Sequence, residues 1–284
     1  MGQSKYQSQM QTYRDYLRQS AVPKQIIDVF LDAEQPSWAK FDPELGYVLA
    51  NSLPRDGIDG SATISTVQKN GARINHLYTD DPCRINTYGN SFTSCEQVSD
   101  GETWQEVLAR HLCEPVRNYG IGGYSVYQSF LRMVREERRA PAKTIVFNIF
   151  DDDHYRNILG WQRFKFGVNN VSINPTVPYM EVDLRKKSIK YRGNPCPDRK
   201  SLYRLTDLEW VTRTFQDNVY LANRLRRLTD AKAGKPVPPT DYDDETLNRY
   251  GLFATNAIID KVKRFGEKTG RKILFVLSYG GYVL

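Results

Sequence analysis

Ser91 stands in Arg84-Ile-Asn-Thr-Tyr-Gly-Asn-Ser-Phe-Thr93, a stretch that passes from strand-like alternation through a Gly-Asn-Ser turn into a helix start. That pattern sets one hydroxyl at the carboxyl end of a strand, where ligand chemistry in open α/β sheets is found and where turn amides can face an anion. A serine so placed suits nucleophilic attack on an acyl carbon, given a base for its proton and N–H donors for the oxygen that becomes negative. The alternative is that Ser91 helps cap the helix that follows. Two later stretches, each after a strand-like run, bear on the choice: Asn118-Tyr-Gly120-Ile-Gly122-Gly123-Tyr124 and Phe150-Asp151-Asp152-Asp153-His154-Tyr-Arg156-Asn157. Gly123 is a candidate oxyanion donor, because glycine lets backbone approach a ligand; simple turn sterics is the other explanation of these glycines. His154 borders the same end of the sheet, as a base or as a structural hydrogen-bonding group. A metal site in Asp151-Asp-Asp-His154 is disfavoured, because consecutive residues rarely converge on one ion and the other two histidines, His76 and His111, fall in a loop and in an amphipathic helix. No cofactor is expected.

The three blocks together, Gly89-Asn90-Ser91, the glycines 120, 122 and 123, and Asp151-Asp152-Asp153-His154, resemble the SGNH (GDSL) hydrolase family over about residues 40–284. The resemblance implies a three-layer α/β/α fold with a mainly parallel, flavodoxin-like sheet. It implies Ser91 as nucleophile and Gly123 as an oxyanion donor. Asp152 takes the place of the family's third-block Asn, where an ionised carboxylate accepts hydrogen bonds but does not donate them. The family's first-block Asp is Asn90 here. The family's late Asp-x-x-His, the source of the base, follows the last sheet strand, whereas this sequence reaches Gly280-Gly-Tyr-Val-Leu284 directly after its fourth strand-like run. The resemblance therefore implies that the parent chain continues past Leu284 and carries that motif there, and that the 284-residue piece is poorly active and exposes an apolar sheet edge. His154 is the fallback base.

The elements that must position these residues follow from periodicity. Tyr6, Met10, Tyr13 and Leu17, then Ile27, Phe30 and Leu31, mark two short amphipathic helices, and 41–81 is loop-rich, so that 1–80 forms an N-terminal extension. In the 81–284 segment, Ser99-Asp-Gly-Glu102 has capping-box spacing ahead of Trp104, Val107, Leu108 and Leu112 on one helix face. Val116 to Tyr119 is a short strand; Tyr127, Phe130, Leu131 and Val134 form the next helical stripe; Thr144–Phe150 is an apolar run suited to a strand buried on both faces. Three βα repeats argue for a parallel sheet. Residues 158–243 interrupt the rhythm as an insertion, either a lid or a packed subdomain, with no sustained period over 158–205. Within it Thr206-Asp-Leu-Glu209 restarts a helix carrying Leu208, Val211, Phe215 and Val219, and 231–243 is a linker. A long helix over 244–268 then leads into Lys272 to Leu277, a fourth buried strand.

With 284 residues, 40% hydrophobic and 26% charged, the chain can bury a substantial core. No apolar run spans a bilayer and the N-terminus lacks the apolar core of a secretion signal, so a cytoplasmic protein without a membrane span is expected. The four scattered cysteines point to free thiols. The net charge of +7 comes from clusters at 135–139, 185–192 and 224–227, read as solvated faces or as a preference for acidic substrates. No nucleic-acid-reading motif accompanies them. The expected partner is a small-molecule or carbohydrate ester, cleaved by water or passed to a sugar; the other class is a binding or structural protein that kept the fold and lost the reaction. Oligomeric state is not fixed by the sequence.

Overall fold

The computed structural model describes residues 15–18, 21–57, 59–78, 82–166, 173–241 and 243–279. Tyr6, Met10 and Tyr13 of the first expected helix, and residues 280–284, lie outside the described residues. The chain forms α1 (Lys24–Leu31), β1 (Ala39–Asp42), β2 (Gly46–Leu49), β3 (Ile85–Tyr88), α2 (Ser91–Ser94), α3 (Trp104–Leu112), β4 (Val116–Asn118), α4 (Val126–Arg139) and β5 (Thr144–Phe150). There follow α5 (Asp153–Arg156), α6 (Arg163–Phe166), β6 (Tyr179–Asp183), β7 (Ser188–Arg192), a 3₁₀ turn (Ser201–Thr206), α7 (Leu208–Phe215), α8 (Val219–Lys232), α9 (Glu245–Thr269) and β8 (Lys272–Ser278).

The protein is mixed α/β. Its main sheet has the order β4-β3-β5-β8 with every neighbouring pair parallel. Counted along the chain, these are the second, first, third and fourth strands of the sheet, so the winding reverses between β3 and β5. The crevice at such a reversal, at the carboxyl ends of the strands, is where an open parallel sheet takes ligands. Ser91 follows β3, and the acidic block follows β5.

Chain packing divides into two compact units. One comprises Pro36–Lys40, Val48–Asn157 and Leu252–Leu284 and contains the main sheet. The interior of β5 is buried along its length, as its apolar run requires. On β3 the polar Asn86 is buried too: its amide donates to Glu137 at 2.6 Å and to the Ala140 carbonyl at 2.9 Å, while Tyr88 donates to the same Glu137 at 2.8 Å. Glu137 also pairs with Arg271 at 3.1 Å, tying α4 to the approach to β8. This clip corrects the expected face of α4. Arg132, Met133, Glu136 and Glu137 are buried, whereas Phe130, Leu131 and Val134 are only half-buried.

Two further expectations change in this unit. Helix α3 starts at Trp104 with Thr103 as its cap, accepting from the Glu106 N–H; the 99–102 box closes a separate turn in which Glu102 accepts from the Ser99 N–H at 2.9 Å. The inward face of α3 uses Gln105, Leu108 and Ala109, leaving Val107 and Leu112 exposed. Strand β8 is an edge strand, paired with β5 alone among the described strands, and its Leu274 and Leu277 are 50% and 58% exposed. An apolar strand sequence does not tell a central position from an edge.

The other unit comprises Met1–Gln35, Phe41–Tyr47 and Ile158–Gly251. Residues 158–205, which lack a period, contain the antiparallel hairpin β6–β7 and an aromatic core. Trp161, Phe164 and Phe215 are fully buried, with ring centroids 5.1 Å apart for Trp161–Phe164 and for Phe164–Phe215. Asp207 caps α7 by accepting from Glu209 and Trp210 N–H groups, so the cap is one residue later than Thr206. Val219 opens a separate helix capped by Asn218. Within the 224–227 cluster, Arg227 is buried and paired with Asp241 at 2.6 Å, not a solvated charge. All four cysteines are free. Among the described residues no helix is long and apolar enough to cross a membrane.

Candidate active site

The loops after β3, β4 and β5 meet within the sheet-bearing unit. Asn90 caps α2: its Oδ1 accepts from the Phe92 N–H at 2.9 Å, and its Nδ2 donates to Asp153 Oδ1 at 2.9 Å in a buried contact. The two partners fix which way the amide points. Ser91 is the first residue of α2, half-buried, and its Oγ has no hydrogen-bond partner among the described residues. The glycine loop closes against this helix start. A β-carbon on Gly120 would lie 2.2 Å from the Ser94 backbone nitrogen, so only glycine allows the approach; the Ile121 N–H then bonds the Gly89 carbonyl at 3.1 Å. A β-carbon on Gly122 would lie 1.8 Å from Glu96 Oε1, and the Gly122 N–H bonds that carboxylate. Gly123 takes a positive φ of 75° and is half-buried.

Ser91 opens on a pocket of about 430 Å³ lined also by Phe92, Trp104, Asp56, Glu96 and Glu102. Gly123, Asp152 and His154 are not among its lining residues. One wall, the chain from Cys95 to Val98, is held by Arg73. This buried guanidinium pairs with Asp100 at 2.8 Å and donates to the carbonyls of Ile64, Ser94, Cys95 and Val98 at 2.6–2.9 Å. Burial, with the Asp56 carboxylate nearby, pushes Glu96 up to about 6; the Gly122 N–H, Arg73 and Arg156 act the other way.

The acidic block is organised by Arg156, which bonds Asp152 Oδ2 and Asp153 Oδ1, each at 2.8 Å. Asp152 Oδ1 accepts from the Tyr155 hydroxyl at 2.8 Å, so both of its oxygens act as acceptors and its side chain is not placed as an oxyanion donor. Asp153 is fully buried; desolvation pushes it up to about 6 against the pull of Arg156, the Phe150 N–H and Asn90. His154 Nδ1 sits 2.9 Å from Thr255 Oγ1, which also accepts from Asn157 Nδ2 at 2.9 Å. A hydroxyl accepts two hydrogen bonds and donates one, so Thr255 can serve Nδ1 as acceptor or as donor, and the contact fits either tautomer of the ring. Burial lowers the imidazole's pKa and keeps it neutral. His76 and His111 are exposed, and none of the three histidines bonds Ser91 among the described residues.

Four residues of this arrangement escape a reading of motifs. Glu96 and Asp56 belong to no motif, Arg73 ends a Gly71-Ala-Arg73 piece that reads as a lead-in packed against the sheet edge, and Arg156 lies inside the third block without a role that its type alone would assign. The signal that could have found Glu96 is the glycine at 122, whose missing side chain makes the space for it.

No family model matches the chain, and no curated protein matches it by sequence. Among solved structures it is similar to a G-D-S-L-family protein of provisional lipolytic assignment from Desulfitobacterium hafniense DCB-2, over 67% of this chain and 75% of that one, at 10% identity and a TM-score of 0.24. A likeness this slight bears on neither fold nor activity.

Proposed function

We propose that the protein is a serine-dependent ester hydrolase of the SGNH (GDSL) type, with a three-layer, flavodoxin-like core and Ser91 as nucleophile. The observation that carries this reading is the setting of Ser91: an uncommitted hydroxyl at the first position of the helix after β3, beside the winding reversal and facing a pocket. Its own N–H and that of Gly123 are the proposed donors to the tetrahedral oxyanion. The Asn90–Asp153 bond adds support. It ties the helix start that carries Ser91 to the third block, one residue past Asp152, the position that matches the family's Asn.

In the reaction Ser91 Oγ attacks the ester carbonyl, its proton passes to a base, and the alcohol leaves with a proton; water then releases the acid from the acyl-serine. For His154 to be that base its ring must reach Ser91 Oγ, to which it is not bonded among the described residues; with the Nδ1 proton donated to Thr255, its Nε2 is the atom that would take the serine proton. Hydrolysis of a panel of short-chain acyl and acetyl esters by the intact chain, and its loss in Ser91→Ala, tests the reading. Turnover that survives Ser91→Ala would overturn it. The competing reading, a binding protein that kept the fold, is favoured by one observation: Asp152, Asp153 and His154 are all engaged with neighbours other than Ser91. It predicts no turnover with any ester of the panel.

A further inference from the structure

The chain carries a net charge of +7, yet among the described residues the pocket at Ser91 is lined by Asp56, Glu96 and Glu102 and by no lysine or arginine. The two arginines whose charge reaches Glu96 are committed elsewhere: Arg73 to Asp100 and four carbonyls, Arg156 to Asp152 and Asp153. The pocket also has two aromatic rings. Phe92 is 47% exposed with one face stacked on Phe150, at a centroid distance of 4.1 Å; Trp104 is half-buried, and its indole N–H bonds the Phe92 carbonyl at 3.3 Å. Ring faces and carboxylates around one cavity are the combination that binds an organic cation. The ring quadrupole attracts the charge and the carboxylates balance it, with no requirement for directional hydrogen bonds.

Glu96 is built into this wall and is not a chance surface acid. Its carboxylate occupies the space that a side chain at 122 would fill, it takes the Gly122 N–H, and its carbonyl accepts from the Thr63 hydroxyl at 3.0 Å. The loop that carries it is pinned by Arg73. Asp56 stands on the opposite side in sequence, from the loop before residue 63, and its charge is felt at Glu96. Two separate segments thus bring carboxylates to the cavity into which Ser91 opens. A neutral acyl chain leaves these charges without a partner, and an anionic substrate adds a like charge to them.

We propose that the substrate at Ser91 is an ester bearing an ammonium group, tertiary or quaternary, which sits between Glu96 and Asp56 and against the rings of Phe92 and Trp104. This deepens the hydrolase reading and rests on it for the reaction, though not for the binding. It reverses the preference for acidic substrates that the overall charge suggests.

The test is a matched pair of esters of nearly equal shape, acetylcholine and 3,3-dimethylbutyl acetate, the second with carbon in place of the ammonium nitrogen. The expected result is kcat/KM at least tenfold higher for the cationic ester, with the ratio falling toward one in Glu96→Gln and in Asp56→Asn. The Asp56 variant changes an exposed side chain and guards against a folding defect at Glu96. A ratio near one in the wild type, with turnover dependent on Ser91, overturns the cation proposal and leaves the hydrolase standing. In the binding arm, tetraethylammonium is titrated against Trp104 fluorescence, with neopentyl alcohol as the neutral control. If neither ester turns over but tetraethylammonium binds, and binds at least fivefold more weakly to Asp56→Asn, the hydrolase reading fails and the cation site stands. No binding and no selectivity overturns the proposal.

Discussion

Asn90 Nδ2 and Asp153 Oδ1 lie 2.9 Å apart in a buried hydrogen bond that joins the helix start carrying Ser91 to the turn after β5. The amide is the donor this carboxylate needs. Asn90→Asp would set two carboxylates against each other with only Arg156 to share. We expect a loss of roughly 1–3 kcal/mol of stability, the cost of an unmade buried hydrogen bond, measured by urea unfolding. Unchanged stability at pH 7 would mean that the Asn90 side chain does not hold these two blocks together.

Asp153 gives the protein a specific dependence on pH. Its ordinary value is 3.8 and burial raises it to about 6, so between those values the folded state holds a proton that the unfolded chain has released. Stability from this group is present below about pH 4 and is lost as pH rises through 6, on the order of 3 kcal/mol in all. Asp153→Asn should flatten the melting temperature between pH 4 and 6 relative to wild type. Parallel curves for the two proteins would show that Asp153 titrates normally.

The framework was legible because it rests on signals local to the chain. The run Thr144–Phe150 is β5 to the residue, and Gly-Asn-Ser marks a strand end and helix start. What misled were places where a distant partner decides. Ser99 has capping-box spacing, but Asp100 beside it is bonded to Arg73 and to the Thr66 N–H, so that turn closes on its own and the helix begins later. Helix α4 buries charges that no hydrophobic stripe announces, because Asn86 and Tyr88 on β3 need a carboxylate to accept from them. The role of Glu96 depends on a glycine 26 positions away.

Arg73 makes its case as a scaffold for the pocket. Its side chain is 1% exposed and that of Asp100 4%, and removing one partner strands the other charge. Arg73→Ala should cost roughly 3–5 kcal/mol, and Arg73→Lys should recover only part of it, since one ammonium cannot supply the five bonds of the guanidinium fork. Urea denaturation of the three proteins checks both; equal midpoints for Lys and Arg would contradict the role.

Glu96 ties substrate choice to pH. The groups whose charge acts on it are Asp56, Arg73 and Arg156, with the Gly122 N–H on its carboxylate, and the balance leaves it ionised at pH 7 and neutral below about 6. The preference for acetylcholine over its neutral isostere should therefore decline as pH is lowered from 7 to 5, even if both rates change. A ratio flat over that range would mean that Glu96 does not set the preference.

The central claim is that Ser91 is a nucleophile, and covalent capture tests it most directly. A fluorophosphonate probe should add one equivalent to the intact, folded chain, with the label mapped to Ser91 by peptide mass spectrometry and absent in Ser91→Ala. Folded protein that takes no label, or a label that persists in Ser91→Ala, would contradict the account.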